Sequence, residues 1–204
     1  MTPLIFLAAV SLNPDAATAP APEPAQLSID LATPATYRSH DDAGTALAGA
    51  ALRVRSQLGP LVVGVEGSWK VALPFASQQH LGAGAVFGYE GTGRSRVLLL
   101  GAAGATRMRG VGYELPIFET VQTASLTVPY FGLRAGHVWA TNTRHARVTF
   151  EPELLVDIEP TTVSGTRTRT SAFLAQPGES TQDRVTAGGG VGVSLAFRIG
   201  MDVL

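Results

Sequence analysis

The sequence predicts an all-β fold, an eight-stranded antiparallel up-and-down barrel, on three observations. Apolar residues recur with period two from Gln26 onward, short Gly/Pro turns punctuate the chain, and the face opposite the apolar one is rich in Gly, Ala and Ser. The 204 residues suit one domain. With 15 Lys+Arg against 16 Asp+Glu the net charge is −1, which lacks the basic footprint of a nucleic-acid binder. No cysteine is present, so disulfides, thiolate metal sites and cysteine nucleophiles are excluded. The residues are 45% hydrophobic and 15% charged, which argues against a disordered chain. No apolar run reaches the roughly 18–20 residues that a membrane helix needs.

Residues 1–25 are read apart from the rest. Pro3–Leu12 has the length of a secretory h-region, and Ala9-Val10-Ser11 and Ala17-Thr18-Ala19 offer small-residue cleavage sites. No Lys or Arg precedes Arg38, so the basic n-region is missing and an N-terminal arm is the alternative. Residues 13–25, rich in Ala and Pro, read as a linker. The expected division is therefore a signal peptide with linker over 1–25 and a barrel over 26–204.

The strands follow in order. Leu27/Ile29/Leu31 and then Ala50/Leu52/Val54 give two short alternating segments. Leu61 to Leu73 alternates over its whole length, with Val63, Val65, Trp69 and Val71 on one face and Glu66, Ser68 and Lys70 on the other. Leu81 to Tyr89 alternates with glycines, and Val97/Leu99 open a fifth segment. Phe131/Leu133/Ala135 form a sixth, Ala146 to Ile158 a seventh, and Val191 to Val203 an eighth. Connections fall near 33–45, 59–60, 73–79, 91–93, 107–125, 140–145 and 159–183, so long and tight ones alternate. A transmembrane barrel has that asymmetry between its two ends.

The tight turns set the register. Leu58-Gly59-Pro60-Leu61 fits a two-residue type II′ hairpin and sets Val54 opposite Val65 and Arg53 opposite Glu66. Pairing Tyr89 with Ser95 sets Phe87 opposite Val97 and Glu90 opposite Arg94. Pairing Trp139 with Ala146 sets Ala135 opposite Phe150 and Arg134 opposite Glu151. Each turn then delivers a charge pair on the polar face.

The faces decide the solvent. A soluble lipocalin-like barrel puts its apolar face inward around a ligand, whereas a membrane barrel turns it toward lipid. Large apolar residues crowd one face, and the other carries small residues with compensating Arg and Glu. Lipid-facing Arg or Lys costs about 2–4 kcal/mol at mid-depth, so the scarcity of charge on the apolar face favours the membrane barrel. Trp69, Phe75, Tyr89, Tyr130, Trp139 and Phe197 are placed as girdle aromatics. The lipocalin alternative would make Val65 and Trp69 ligand-facing.

The strand count, the loop alternation and Val128-Pro129-Tyr130-Phe131-Gly132-Leu133 together resemble the small eight-stranded outer-membrane β-barrels of the outer-membrane protein A transmembrane-domain type. The resemblance implies a Gram-negative-type envelope, contact with outer-membrane lipid, the barrel-assembly machinery as a biogenesis partner, and a monomer. Two features depart from that pattern. The chain ends Asp202-Val203-Leu204 rather than on an aromatic residue, and Pro152 lies inside a strand, where a bulge is the expected accommodation.

Chemistry is sparse. Gly88 to Ser95 approaches a phosphate-binding loop, but Arg replaces Lys and strand sequence follows it, so a β-turn is expected. The histidines 40, 80, 137 and 145 lack metal-ligand spacing, and none begins the His-x-Ser pair of the lipid A deacylase barrels. His40-Asp41-Asp42 is read as a polar loop. No cofactor, metal or catalysis is expected. The polar face instead predicts a lumen charge network of Arg53, Glu66, Glu90, Arg94, Arg134, Glu151, Arg147, Asp157 and Arg198, a plug rather than a pore. A surface ligand is expected at the loops 107–125 and 159–183, the first carrying Tyr113, Leu115, Ile117 and Phe118, the second Thr166 to Thr170.

Overall fold

The computed structural model describes residues 26–40, 43–73, 78–110, 119–123, 125–142, 147–171 and 180–203. Its strands are β1 (Gln26–His40), β2 (Ala43–Leu58), β3 (Leu61–Ala72), β4 (Gln79–Glu90), β5 (Ser95–Arg109), β6 (Glu119–Thr123), β7 (Leu126–Asn142), β8 (Arg147–Ile158), β9 (Thr162–Ser171), β10 (Ser180–Gly188) and β11 (Val191–Val203). Eight of them close a barrel in the order β1-β11-β8-β7-β5-β4-β3-β2, and β10-β9-β6 form a separate three-stranded sheet. Every barrel neighbour is antiparallel, and β1 meets β11 from Leu27↔Val203 to Ser39↔Val191. Closure leaves the barrel without an exposed edge.

Side-chain parity divides the wall as the sequence predicts. Leu31, Val65, Leu133, Leu195 and Ile199 point outward and are 60% to 69% exposed, while Arg53 and Asp202 point inward at 0%. Val65 and Trp69 lie on the outside, so the apolar face encloses no ligand. The interior is not uniformly polar, however. Val62, Val86, Leu98, Leu100, Ala102, Tyr130 and Val138 form a buried cluster on the β3–β7 side of the lumen.

Several expectations need correction. The first long connection, 33–45, is replaced by strand, because β1 runs to His40 and β2 starts at Ala43. Small residues such as Ala35, Ala46 and Ala48 conceal the alternation there, yet they pair in register. The 107–125 and 159–183 connections contain β6, β9 and the start of β10 rather than loop alone. Phe75, Asp41, Asp42, Tyr113, Leu115, Ile117, Phe118, His145 and residues 1–25 lie outside the described residues. Tyr130 is not a girdle aromatic: it faces the lumen and is buried.

Of the three turn registers, the Leu58–Leu61 hairpin is as predicted, with Gly59 at φ 63° and Arg53 opposite Glu66. The other two slip by four in pair sum. Tyr89 pairs with Leu99 and Glu90 with Leu98, and Trp139 pairs with Phe150. The slip is even, so every side chain keeps its face. Pro152 needs no bulge. Its partner on β11 is Phe197, and the pairing of β8 with β7 resumes in the same register on both sides of it. Only the His137 and Val138 pairings are missing from that ladder, beside the proline that has no N–H to give.

Two lumen glycines show how tightly the wall is filled. Gly84 pairs with Gly104, which pairs with Tyr130. A Cβ on Gly104 would collide with the Ala83 carbonyl oxygen, lie 2.6 Å from Gly84 Cα and 2.9 Å from the Tyr130 ring. Gly104→Ala should therefore destabilise the barrel by about 1–3 kcal/mol. Outward-facing Gly67, whose Cβ would meet only the Gly82 oxygen at 3.9 Å, should tolerate Ala within about 0.5 kcal/mol. Denaturant unfolding in detergent micelles separates the two.

Candidate functional site

The alternation that turns apolar side chains outward sends the intervening charges into a space just wide enough for side chains. Among the described residues the lumen receives Arg38, Arg53, Arg55, Lys70, Arg96, Arg134, Arg147 and Arg198, and an equal number of carboxylates: Asp30, Glu66, Glu90, Glu151, Glu153, Asp157, Glu159 and Asp202. Buried charge persists when paired, and each of these arginines lies within 4 Å of a carboxylate from another strand or its flank, although Arg55 is held by ion pairs alone, without a hydrogen bond.

Arg53 sits at the centre. Its guanidinium reaches Glu153 at 2.5 Å, Glu151 at 3.2 Å and Glu66 at 3.4 Å. Arg198 holds the other oxygen of Glu153 at 2.5 Å. Toward the tight-turn end, Arg55 lies 3.2 Å from both Asp30 and Glu90 and 3.3 Å from Glu151. Arg96 continues the chain between Glu90 and Asp202, the latter at 3.4 Å, and Ser28 donates to Asp202 at 2.6 Å. Arg147 closes that end, 3.9 Å from Asp202 and donating to the Gly93 carbonyl at 2.6 Å. In the other direction, Arg134 bridges Glu66 and Asp157, each at 2.6 Å.

The predicted residues thus meet their partners unevenly. Arg53, Glu66, Glu90, Arg134, Glu151, Arg147, Asp157 and Arg198 all face the lumen. Arg94 does not: it is exposed in the 91–94 turn, and Arg96, two positions on, takes Glu90 instead. Glu151 is joined to Arg53 and Arg55 rather than to Arg134. The network also takes in Arg55, Glu153 and Asp202, with Lys70 facing the same lumen, and Asp30, Arg96, Arg38 and Glu159 were missed. Asp30 and Arg96 could have been found from parity within strands already recognised. Arg38 and Glu159 lay in segments read as connections.

The far end is built differently. Arg38 ion-pairs with Glu159 and also donates to Met108 Sδ at 3.3 Å. Above that pair, Met108, Leu126 and Val128 from the barrel rim pack with Val185 and Ala187 of β10, and Val163 of β9 joins them. Gly188 and Gly189, both at positive φ, turn the chain back into β11. Between this cover and the Arg53 layer lie two cavities of about 40 and 30 Å³, both lined by Ser68, Lys70, Thr106, Tyr130 and Asp157.

On the outer wall, Ser95 Oγ lies 2.7 Å from His137 Nε2, and Trp139 packs against the imidazole at 4.6 Å. A search along one strand for His-x-Ser could not find this pair, which forms across β5 and β7. Trp139, Phe150 and Phe197 continue it as an aromatic row, with centroids 6.1 Å apart at each step.

No family sequence profile matches the chain, and no curated protein matches it by sequence. Solved structures do match by fold. The crystal structure of Neisserial surface protein A superposes with a TM-score of 0.58 at 9% identity, covering 85% of this chain and 95% of that one. The fold is that of a small eight-stranded outer-membrane barrel. A looser likeness, TM-score 0.42 at 7% identity over 95% of this chain and 96% of the other, is to the outer membrane protein AlkL in lipid bilayers.

The network makes a direct prediction about this barrel. Arg53→Met removes the cation shared by Glu66, Glu151 and Glu153, leaving Glu153 to Arg198 and Glu151 to Arg55, and should cost about 3–5 kcal/mol in micelle unfolding. Arg94→Met should change stability by no more than about 0.5 kcal/mol.

Proposed function

We propose that the protein resides in the outer membrane of a Gram-negative-type cell as a monomeric barrel with a closed lumen, serving a structural or surface-contact role without catalysis. The observation that carries this reading is the inversion of the faces. Large apolar side chains cover the outside of every barrel strand, and the ionised groups are inside. Water would not stabilise that arrangement, whereas hydrocarbon would. The continuous ion-pair chain from Arg147 to Asp157 favours a plug over an open channel.

The three-stranded sheet supplies the contact surface. It stands at the end with the longer connections, which is the external end in barrels of this kind. Ser164, Thr166, Gln182 and Arg184 are exposed or partly exposed on it, and Arg184 donates to Ser164 Oγ at 2.8 Å. Hydroxyl, amide and guanidinium groups on a flat sheet suit a polar surface ligand such as a glycan. An N-terminal signal and passage through the barrel-assembly machinery belong to the same proposal.

Fractionation followed by gel migration tests the location. The protein should sediment with the envelope and change apparent mass between unboiled and boiled samples. Recovery in the soluble periplasmic fraction with no heat shift overturns the proposal. In lipid vesicles, Leu195→Arg should lower barrel stability by about 2–4 kcal/mol, because Leu195 stands mid-strand on the apolar face.

A further inference from the structure

Two cations break the pattern of the outer wall. Among the described residues, Arg107 and Arg109 of β5 are the only Arg, Lys, Asp or Glu at outward positions of the barrel strands. Both are exposed and stand at the end with the longer connections. Neither has a carboxylate within ion-pair distance among the described residues. Arg107 gives its Nε–H to Ser125 Oγ at 2.6 Å, which orients the guanidinium and leaves its two terminal nitrogens available. Two residues apart on one face, the pair is separated by roughly 7 Å along the strand, so both guanidinium groups can reach one anion.

The ladder sets their height on the wall. Arg107 pairs with Leu81 and Leu81 with Trp69, so a Trp–Leu–Arg row marks where the apolar belt ends. Lipid-facing charge costs least at that depth, and an indole favours it too. Below the row the wall is low. Gly67, Ala83 and Ala105 are successive cross-strand partners, and Ala85 pairs with Ala103 in the next outward row. Val65 and Phe131, both large and exposed, border this furrow on either side.

Small residues alone name no ligand, but the unpaired cations above them do. Arginine takes phosphate through parallel N–H donors, and an anionic lipid carries its phosphate directly above its acyl chains. We propose that this face of β4 and β5 holds one phosphorylated lipid of the outer leaflet, its phosphate between Arg107 and Arg109 and an acyl chain in the furrow. The choice of leaflet rests on the outer-membrane reading; the binding does not.

The full chain, folded in maltoside micelles, would be titrated with lipid A, a bisphosphorylated acylated disaccharide, reading the bound fraction by native mass spectrometry. One lipid should bind saturably. Arg107→Gln and Arg109→Gln should each weaken binding roughly tenfold while keeping the strand content seen by circular dichroism. Ala105→Leu, which retains both arginines and fills the furrow, should weaken it as well. Arg94→Gln, at the opposite end, should leave it unchanged, and excess inorganic phosphate should not displace the lipid. Affinity unchanged in the arginine variants or in Ala105→Leu overturns the proposal, as does displacement by inorganic phosphate. Any of these results leaves the envelope fractionation untouched, so the two readings fail separately.

Discussion

Charge neutrality inside the lumen is the constraint on which the rest of this barrel depends. Backbone hydrogen bonds alone do not choose a register, since a ladder shifted by two residues is bonded just as completely. The outer face does not choose either, because lipid makes little distinction between Leu and Val at a given height. The inner face must choose. Arg53 of β2 needs Glu66 of β3 and both Glu151 and Glu153 of β8, and Arg198 of β11 needs Glu153 as well. These contacts fix the heights of four strands against one another. A soluble protein assigns that task to its hydrophobic core; here paired ions perform it.

The same constraint explains what was legible in the sequence. Parity is local, so the barrel class, most of its strands and the inward direction of the charges could be read from alternation alone. The register at Leu58–Leu61 was legible because Gly-Pro specifies a two-residue turn. The next two were not. Glu90 can meet Arg94 or Arg96 without changing face, and what favours Arg96 is Asp202, a residue on β11 that no turn rule connects to it. Arg134 is likewise taken by Glu66 and Asp157 instead of Glu151. Charge complementarity across one turn is a two-body test, and the lumen is a many-body problem.

Strand ends failed for a different reason. Where β1 and β2 rise past Pro34, the outward residues other than Tyr37 shrink to Ala35, Ser39, Gly44, Ala46 and Ala48, so the hydrophobic period fades although the ladder continues. Tyr130 misled in the opposite sense. An aromatic near a strand end suggests a girdle, but its parity in β7 turns it inward over Gly84 and Gly104. Position along a strand was the weaker clue and parity the stronger one.

The two halves of the lumen follow from these choices. Toward the tight turns, long Arg and Glu side chains fill the section and satisfy one another. Toward the longer connections, small inward residues at Thr36, Ser68, Gly82, Thr106 and Gly192 stand among Arg38, Lys70, His80 and Tyr130 and leave part of the bore unfilled. The chain covers that end by folding the base of β9 and β10 over it, packing Val163, Val185 and Ala187 onto Met108, Leu126 and Val128. The added sheet is therefore a structural counterpart of the small residues beneath it. Arg38 and Glu159 join the cover to the wall, and the positive φ at Gly188 and Gly189 lets β10 turn sharply enough to start β11. A barrel with bulkier residues at those lumen positions would have no need of the sheet, and this one would lose its enclosed upper chamber without it.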